Sequence, residues 1–229
     1  MFGAEEWTAI LLSLKVGSIA TVASLPPAIL IAWVLARREF WGKSLLDGVV
    51  HLPLVLPPVV TGYALLVLFG RRGVFGAFLA DHLGLVFSFR WTGAALAAGV
   101  MGFPLMVRAV RLSIEAIDVR VEQAAATLGA PPLWVFATVT LPLAARGIVA
   151  GAVLAFAKAL GEFGATITFV SNIPGQTQTI PSAIYAYTQT PGGEAGALKL
   201  SLVAAAIALG ALVVSEWSVR RARREGDAR

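Results

Sequence analysis

Long apolar runs constrain this chain more than any other feature. They cover about 11–36, 47–69, 91–112, 143–163 and 197–219. A helix of roughly 20 residues crosses a hydrocarbon core of about 30 Å. In lipid every backbone N–H and C=O must find a partner within the protein, which restricts spanning segments to helices and closed barrels. The runs therefore predict an all-α polytopic membrane protein with about five transmembrane helices. Composition agrees: 58% of residues are hydrophobic and 14% charged, against about 25% charged in a soluble domain. With no internal repeat or linker, residues 1–229 read as a single transmembrane domain.

A net charge of +5 and a pI near 10.1 could suggest nucleic acid. The charges instead cluster at the ends of apolar runs, which argues for a membrane and against nucleic acid. The chain has no cysteine, so disulfides and thiolate chemistry are excluded. Glu5 and Glu6 precede the first run where a cleavable signal would carry positive charge, so that run reads as a retained span.

Lys and Arg placement orients the spans. With the N-terminus outside, the cytoplasmic side collects Arg37, Arg38 and Lys43, then Arg108, Arg111, Arg120 and Arg146. It also collects Arg220, Arg221, Arg223, Arg224 and Arg229. The outside holds Arg71, Arg72, Arg90 and Lys199. The C-terminus and the loop 113–142 are then cytoplasmic. Segment 164–196 is broken by Ser171-Asn-Ile-Pro-Gly175 and reads as a short re-entrant or periplasmic element rather than a sixth span.

The loop 113–142 is amphipathic. Ile114, Ile117, Val121, Ala124, Ala125 and Leu128 recur at helical spacing, with Glu115, Asp118, Arg120, Glu122 and Gln123 on the other face. Gly129 suits a helix-ending left-handed position. Pro131 and Pro132 follow, and proline can open a helix. The pattern predicts a helix, a glycine bend and a second short helix from about 132. Such a helix either lies on the bilayer surface or docks in a groove on a soluble partner.

The loop also resembles the EAA loop of ABC-importer permeases: Glu-Ala-Ala, three residues, Gly, nine residues, Ile, any residue, Leu-Pro. Ala124, Ala125, Gly129, Val139, Leu141 and Pro142 match this register. The glutamate position is Gln123, with Glu122 one residue earlier. Leu52-Pro-Leu-Val-Leu-Pro-Pro-Val-Val60, Gly70-Arg-Arg-Gly73 and the stretch from Gly161-Glu-Phe-Gly164 to Asn172-Ile-Pro174 resemble molybdate permeases over nearly the whole chain. The last stretch also resembles sulfate and tungstate permeases. The resemblance implies a type I importer permease fold in a bacterial inner membrane. It further implies a permease homodimer, ABC ATPase subunits on the loop and a periplasmic molybdate-binding protein. ATP and magnesium would sit on the ATPase, with no cofactor in this chain. Gln123 lacks the charge for an ion pair with that ATPase.

Some residues could shape a path or gate: Pro53, Pro57, Pro58, Gly161, Glu162, Gly164 and Thr166. Each proline removes a backbone donor, so the second span is expected to be kinked or locally unwound. That kink either shapes packing or turns carbonyls toward a path. Lys158 and Glu162 lie four apart on one helix face. They either neutralise one another near the outer surface or act at the outer gate or in docking a binding protein. Lys15 is expected to snorkel outward, and His51 to be a satisfied polar residue. Gly147 and Gly151 form a GxxxG that permits close helix packing within the subunit. Gly42-Lys-Ser44 ends like a phosphate-binding loop, but the position needing the earlier glycine is Arg37, so nucleotide binding is rejected. An ion-coupled transporter would want inverted repeats and buried carboxylates, and an enzyme a clustered acid, base or nucleophile. Neither pattern is present.

Overall fold

The structure is a computed structural model that describes residues 2–227, with side chains described for 2–213. Arg229 and the side chains of Arg220, Arg221, Arg223 and Arg224 lie outside the described residues. Among the described residues all regular elements are helical. They are α1 (Ala4–Arg37), α2 (Lys43–Val55), α3 (Pro58–Phe69), α4 (Val74–Leu83), α5 (Trp91–Glu115) and α6 (Val119–Thr127). Then come α7 (Pro132–Val135), a π-helical turn (Phe136–Thr140), α8 (Leu141–Leu160), α9 (Gly164–Val170), α10 (Ile180–Thr188) and α11 (Glu194–Asp227).

Helix α5 is central because its surface is small-sided. Gly93, Ala94, Ala95, Ala97, Ala98, Gly99 and Gly102 are all buried, which lets α1 and α8 pack along it. Gly147 and Gly151 of α8 press on α5: a Cβ on Gly151 would lie 3.1 Å from the Met106 carbonyl oxygen. The GxxxG is thus a contact within the subunit rather than one kept for a second copy.

Four stretches are long and apolar enough to span a membrane: α1, α5, the continuous helix Pro132–Leu160 and Glu194–Val213 of α11. The run expected as one kinked span over 47–69 departs further from a straight helix. It forms two helices, α2 and α3, bent by 115°. Pro57 and Pro58 are adjacent, so two successive backbone donors are missing. Leu56 is extended (φ −71°, ψ 144°), as a residue before proline prefers. Pro58 then opens α3 at its first position.

The first helix starts at Ala4, earlier than its apolar run, because the Glu6 carboxylate accepts the Gly3 N–H at 2.7 Å. Helix α4 is an addition that the sequence reading did not contain. In 164–196 no helix reaches spanning length. Ser171 turns the chain with φ +63° after α9. The Ser13 hydroxyl of α1 then accepts the Ile180 N–H at 2.7 Å and seats α10.

Candidate coupling surface and transport path

Helix α6 forms where the loop pattern predicts. Asp118 caps it by accepting the Arg120 N–H at 2.9 Å. Gly129 ends it with φ +86°, a left-handed conformation that glycine adopts without strain. The second helix is not short: from Pro132 it runs unbroken to Leu160. Pro142 lacks the N–H that would bond back to Thr138, and the π turn just before it widens the helix where an α-turn would clash with its ring.

The amphipathic pattern suggests that one face of α6 is covered, yet α6 has no buried residue. Leu128 is 90% exposed and Leu133 79%, with Trp134, Val119 and Val121 also exposed. These apolar side chains gather on a segment that the subunit itself does not cover. Ala124 and Gln123 are exposed, and Ala125, Val139 and Leu141 half-buried, with Pro142 exposed.

Glu122 behaves differently from its neighbours. One carboxylate oxygen lies 2.9 Å from Arg37 Nε of α1, an ionic contact rather than a directed hydrogen bond. The other accepts the Thr140 hydroxyl at 2.7 Å. Arg37 also donates to the Ile117 carbonyl at 3.0 Å. Glu122 therefore ties α6 to the ends of α1 and α8 while Gln123 faces out. Sequence reasoning placed Glu122 in the loop but missed this inward anchor. Its partners lie 18 and 85 positions away, beyond any local pattern.

At the opposite end most of the candidate path residues come together. Helices α3 and α9 meet at backbone distance. A Cβ on Gly62 would stand 2.5 Å from the Ala165 carbonyl oxygen, and one on Gly164 2.7 Å from Pro58 Cβ. Gly62 was not singled out in the sequence; its signal is a glycine one turn after Pro58. Thr166 is buried and donates to the Phe163 carbonyl at 2.8 Å. Glu162, 2% exposed, meets Lys158 Nζ at 2.6 Å and accepts the Ala165 N–H at 2.9 Å. The Lys158–Glu162 pair is thus neutralised, and the carboxylate also holds the start of α9. Gly161 is exposed in the turn before it, and Pro57 is exposed at the bend. Pro53 falls elsewhere, lining a furrow between α1, α2 and α5.

Two lone residues resolve simply. Lys15 is exposed, and its ammonium sits 3.8 Å from the ring centroid of Trp91 at the start of α5, a cation–π contact. His51 Nδ1 lies 2.9 Å from the Asp47 carbonyl oxygen, a satisfied polar contact. Arg111 pairs with Asp47 at 3.1 Å and Glu115 at 2.7 Å, joining α5 to α2 at the loop end.

Residues 28–224, which include the loop, the bend and the α3–α9 contact, match the family described as binding-protein-dependent transport system inner membrane component. The chain belongs to that family. Within this transport-component family, it is 62% identical over 218 residues to the molybdenum transport system permease protein ModB of Escherichia coli K12, covering 95% of each chain. It is 56% identical over 220 residues to the ModB of Haemophilus influenzae, covering 96% of each. The sulfate transport system permease protein CysT of Salmonella typhimurium is 35% identical over 196 residues, covering 86% of this chain and 70% of that one. The fold matches a crystallised bacterial ABC transporter for alginate with TM-score 0.75 at 17% identity, covering 96% of this chain and 80% of that one. An amino acid ABC transporter matches with TM-score 0.66 at 16% identity, covering 95% and 94%. The fold is therefore that of a type I ABC importer permease, and this inner membrane component is multi-pass.

Proposed function

We propose that the chain is the membrane-spanning permease subunit of an ATP-driven molybdate importer. Near full-length likeness to permeases named for molybdenum transport, at almost twice the identity of the sulfate permease, carries the cargo reading. In this reading α6 and the Leu133–Trp134 turn seat on a cytoplasmic ATPase subunit. Their exposed apolar side chains on a carboxylate-anchored helix fit a groove-docking mode.

The loop end is cytoplasmic because Arg37, Arg38, Arg111 and Arg120 collect there, and the N-terminus is outside. A periplasmic molybdate-binding protein delivers the anion to the end that carries Arg71, Arg72 and Glu162. Two copies of the permease form the path between them. ATP and magnesium bind the ATPase, and this chain makes and breaks no covalent bond. ATP binding draws the two α6 helices together and favours the outward-open state, and hydrolysis restores the other. The ligand works only through its unequal affinity for the two states.

Labelled molybdate uptake into proteoliposomes with the ATPase and the binding protein tests this reading. ATP-dependent uptake that persists in excess sulfate is expected. Uptake abolished by sulfate would keep the machine and change the cargo. Uptake indifferent to ATP would overturn the importer assignment.

A further inference from the structure

A furrow of about 730 Å³ runs between α1, α2 and α5. Small-ligand pockets span about 300–1,000 Å³. Its walls include Ile19, Ala23 and Ile31 of α1, Val49 of α2, and Leu96 and Phe103 of α5. Apart from the Ser24 and Thr92 hydroxyls and the Trp91 indole N–H, the lining side chains are apolar. The Thr92 hydroxyl is already spent on the Val86 carbonyl at 3.2 Å. Water would find few partners in such a channel, whereas hydrocarbon needs none.

The length also fits hydrocarbon. From Trp91 to Phe103 the furrow follows α5 for about 18 Å at 1.5 Å per residue. One leaflet supplies about half of a 30 Å core. One end of the furrow is charged. Trp91 lines it and carries the Lys15 ammonium at 3.8 Å, and exposed Arg90 immediately precedes Trp91. Among the described residues no carboxylate pairs with Lys15 or Arg90. A tryptophan with two cations lacking counter-ions is the chemistry that meets a lipid phosphate at a membrane interface.

We propose that the furrow holds one acyl chain of an anionic phospholipid, whose phosphodiester rests on Lys15 and Arg90 beside Trp91. The lipid belongs to the leaflet at the N-terminal end of α1, the outer leaflet under the orientation proposed above. Only the name of the leaflet depends on that orientation.

The test uses the full-length permease purified with its ATPase, delipidated, then titrated with phosphatidylglycerol or phosphatidylcholine of identical chains. Native mass spectrometry counts the bound lipid. One phosphatidylglycerol per permease is expected, favoured about fivefold over phosphatidylcholine. Lys15→Gln with Arg90→Gln should erase that preference and leave chain binding. Ala23→Phe should fill the exposed furrow and lose the lipid, while Val22→Phe, exposed and off the furrow, keeps it. A photo-activatable diazirine in the acyl chain should label α1, α2 and α5 of the unaltered protein and spare α11. Wild-type lipid retention in Ala23→Phe would overturn the proposal, as would equal binding of the two headgroups or labelling concentrated on α11. The chain has no native cysteine, so a disulfide between two copies carrying Ala23→Cys would show a second copy on the furrow and also overturn it.

Discussion

At the loop end, α6 has no buried residue and hangs from one carboxylate, Glu122, held by Arg37 and Thr140. At the opposite end, α3 and α9 touch backbone to backbone, with no room for a Cβ at Gly62 or Gly164. Both regions carry motif residues, but they are completed differently: Leu65 of α3 and Ala165, Phe169 and Val170 of α9 are buried in one cluster with α1, α5 and α8, whereas α6 joins no such cluster. The α3–α9 contact is closed within one subunit: Glu162 and Thr166 find their partners there and a Cβ has no room at Gly62 or Gly164, although the buried Thr61 hydroxyl of α3 has no hydrogen-bond partner among the described residues. The α6 surface is unfinished, since its largest apolar side chains face outward. Damage to the first should cost folding and transport together. Damage to the second should cost assembly and leave the membrane core intact.

The largest expected effect breaks the closed end. Gly62→Val would press a branched side chain on the Ala165 backbone, where neither side can yield. We expect a loss of about 3 kcal/mol, read as a lowered unfolding midpoint in detergent, together with loss of uptake. A wild-type midpoint with full uptake would mean that α3 and α9 do not meet as described. Next comes Gly129→Pro. Proline fixes φ near about −65°, whereas Gly129 sits at +86°. Insertion should continue while ATPase co-purification is lost; normal co-purification would sink the docking role of this bend.

Glu122→Ala should be milder. It leaves Arg37 largely buried without its ionic partner, at a cost of about 2 kcal/mol. ATPase retention should fall about tenfold as α6 detaches. Glu122→Gln should recover part of it, because an amide oxygen still accepts from Thr140. Equal behaviour of the two variants would show that only the charge matters. The smallest effect belongs to Gln123→Glu. The side chain is exposed and free of the anchor, so uptake should stay within about twofold, the scale of a surface charge change. Complete loss would show that neutrality at this position is required.

The comparison also explains what could be read from the chain. Spans follow from apolar length, and α6 from Ile117, Val121 and Leu128 at helical spacing, punctuated by Gly129, Pro131 and Pro132. Those signals are local. The bend at Pro57–Pro58 was visible as a defect, but its 115° depends on α3 turning away to lie on α9, which local sequence does not encode. Glu122 read as one more polar residue on a loop helix because Arg37 and Thr140 are distant in sequence. Gly62 read as one glycine among many until Ala165 was found against it. Helix α4 lacked the length of a span; its only local marks were the flanking glycines, Gly73 before it and Gly84, which ends it in a left-handed conformation at φ +66°.

The central claim is that the exposed α6 face is where an ATPase sits. The chain has no native cysteine, so a single cysteine at Leu128 can be crosslinked to the co-expressed ATPase with a short bifunctional reagent. A permease–ATPase adduct from Leu128→Cys, with none from Phe75→Cys at the far end, is the predicted result. An adduct from Phe75→Cys and none from Leu128→Cys would contradict the account.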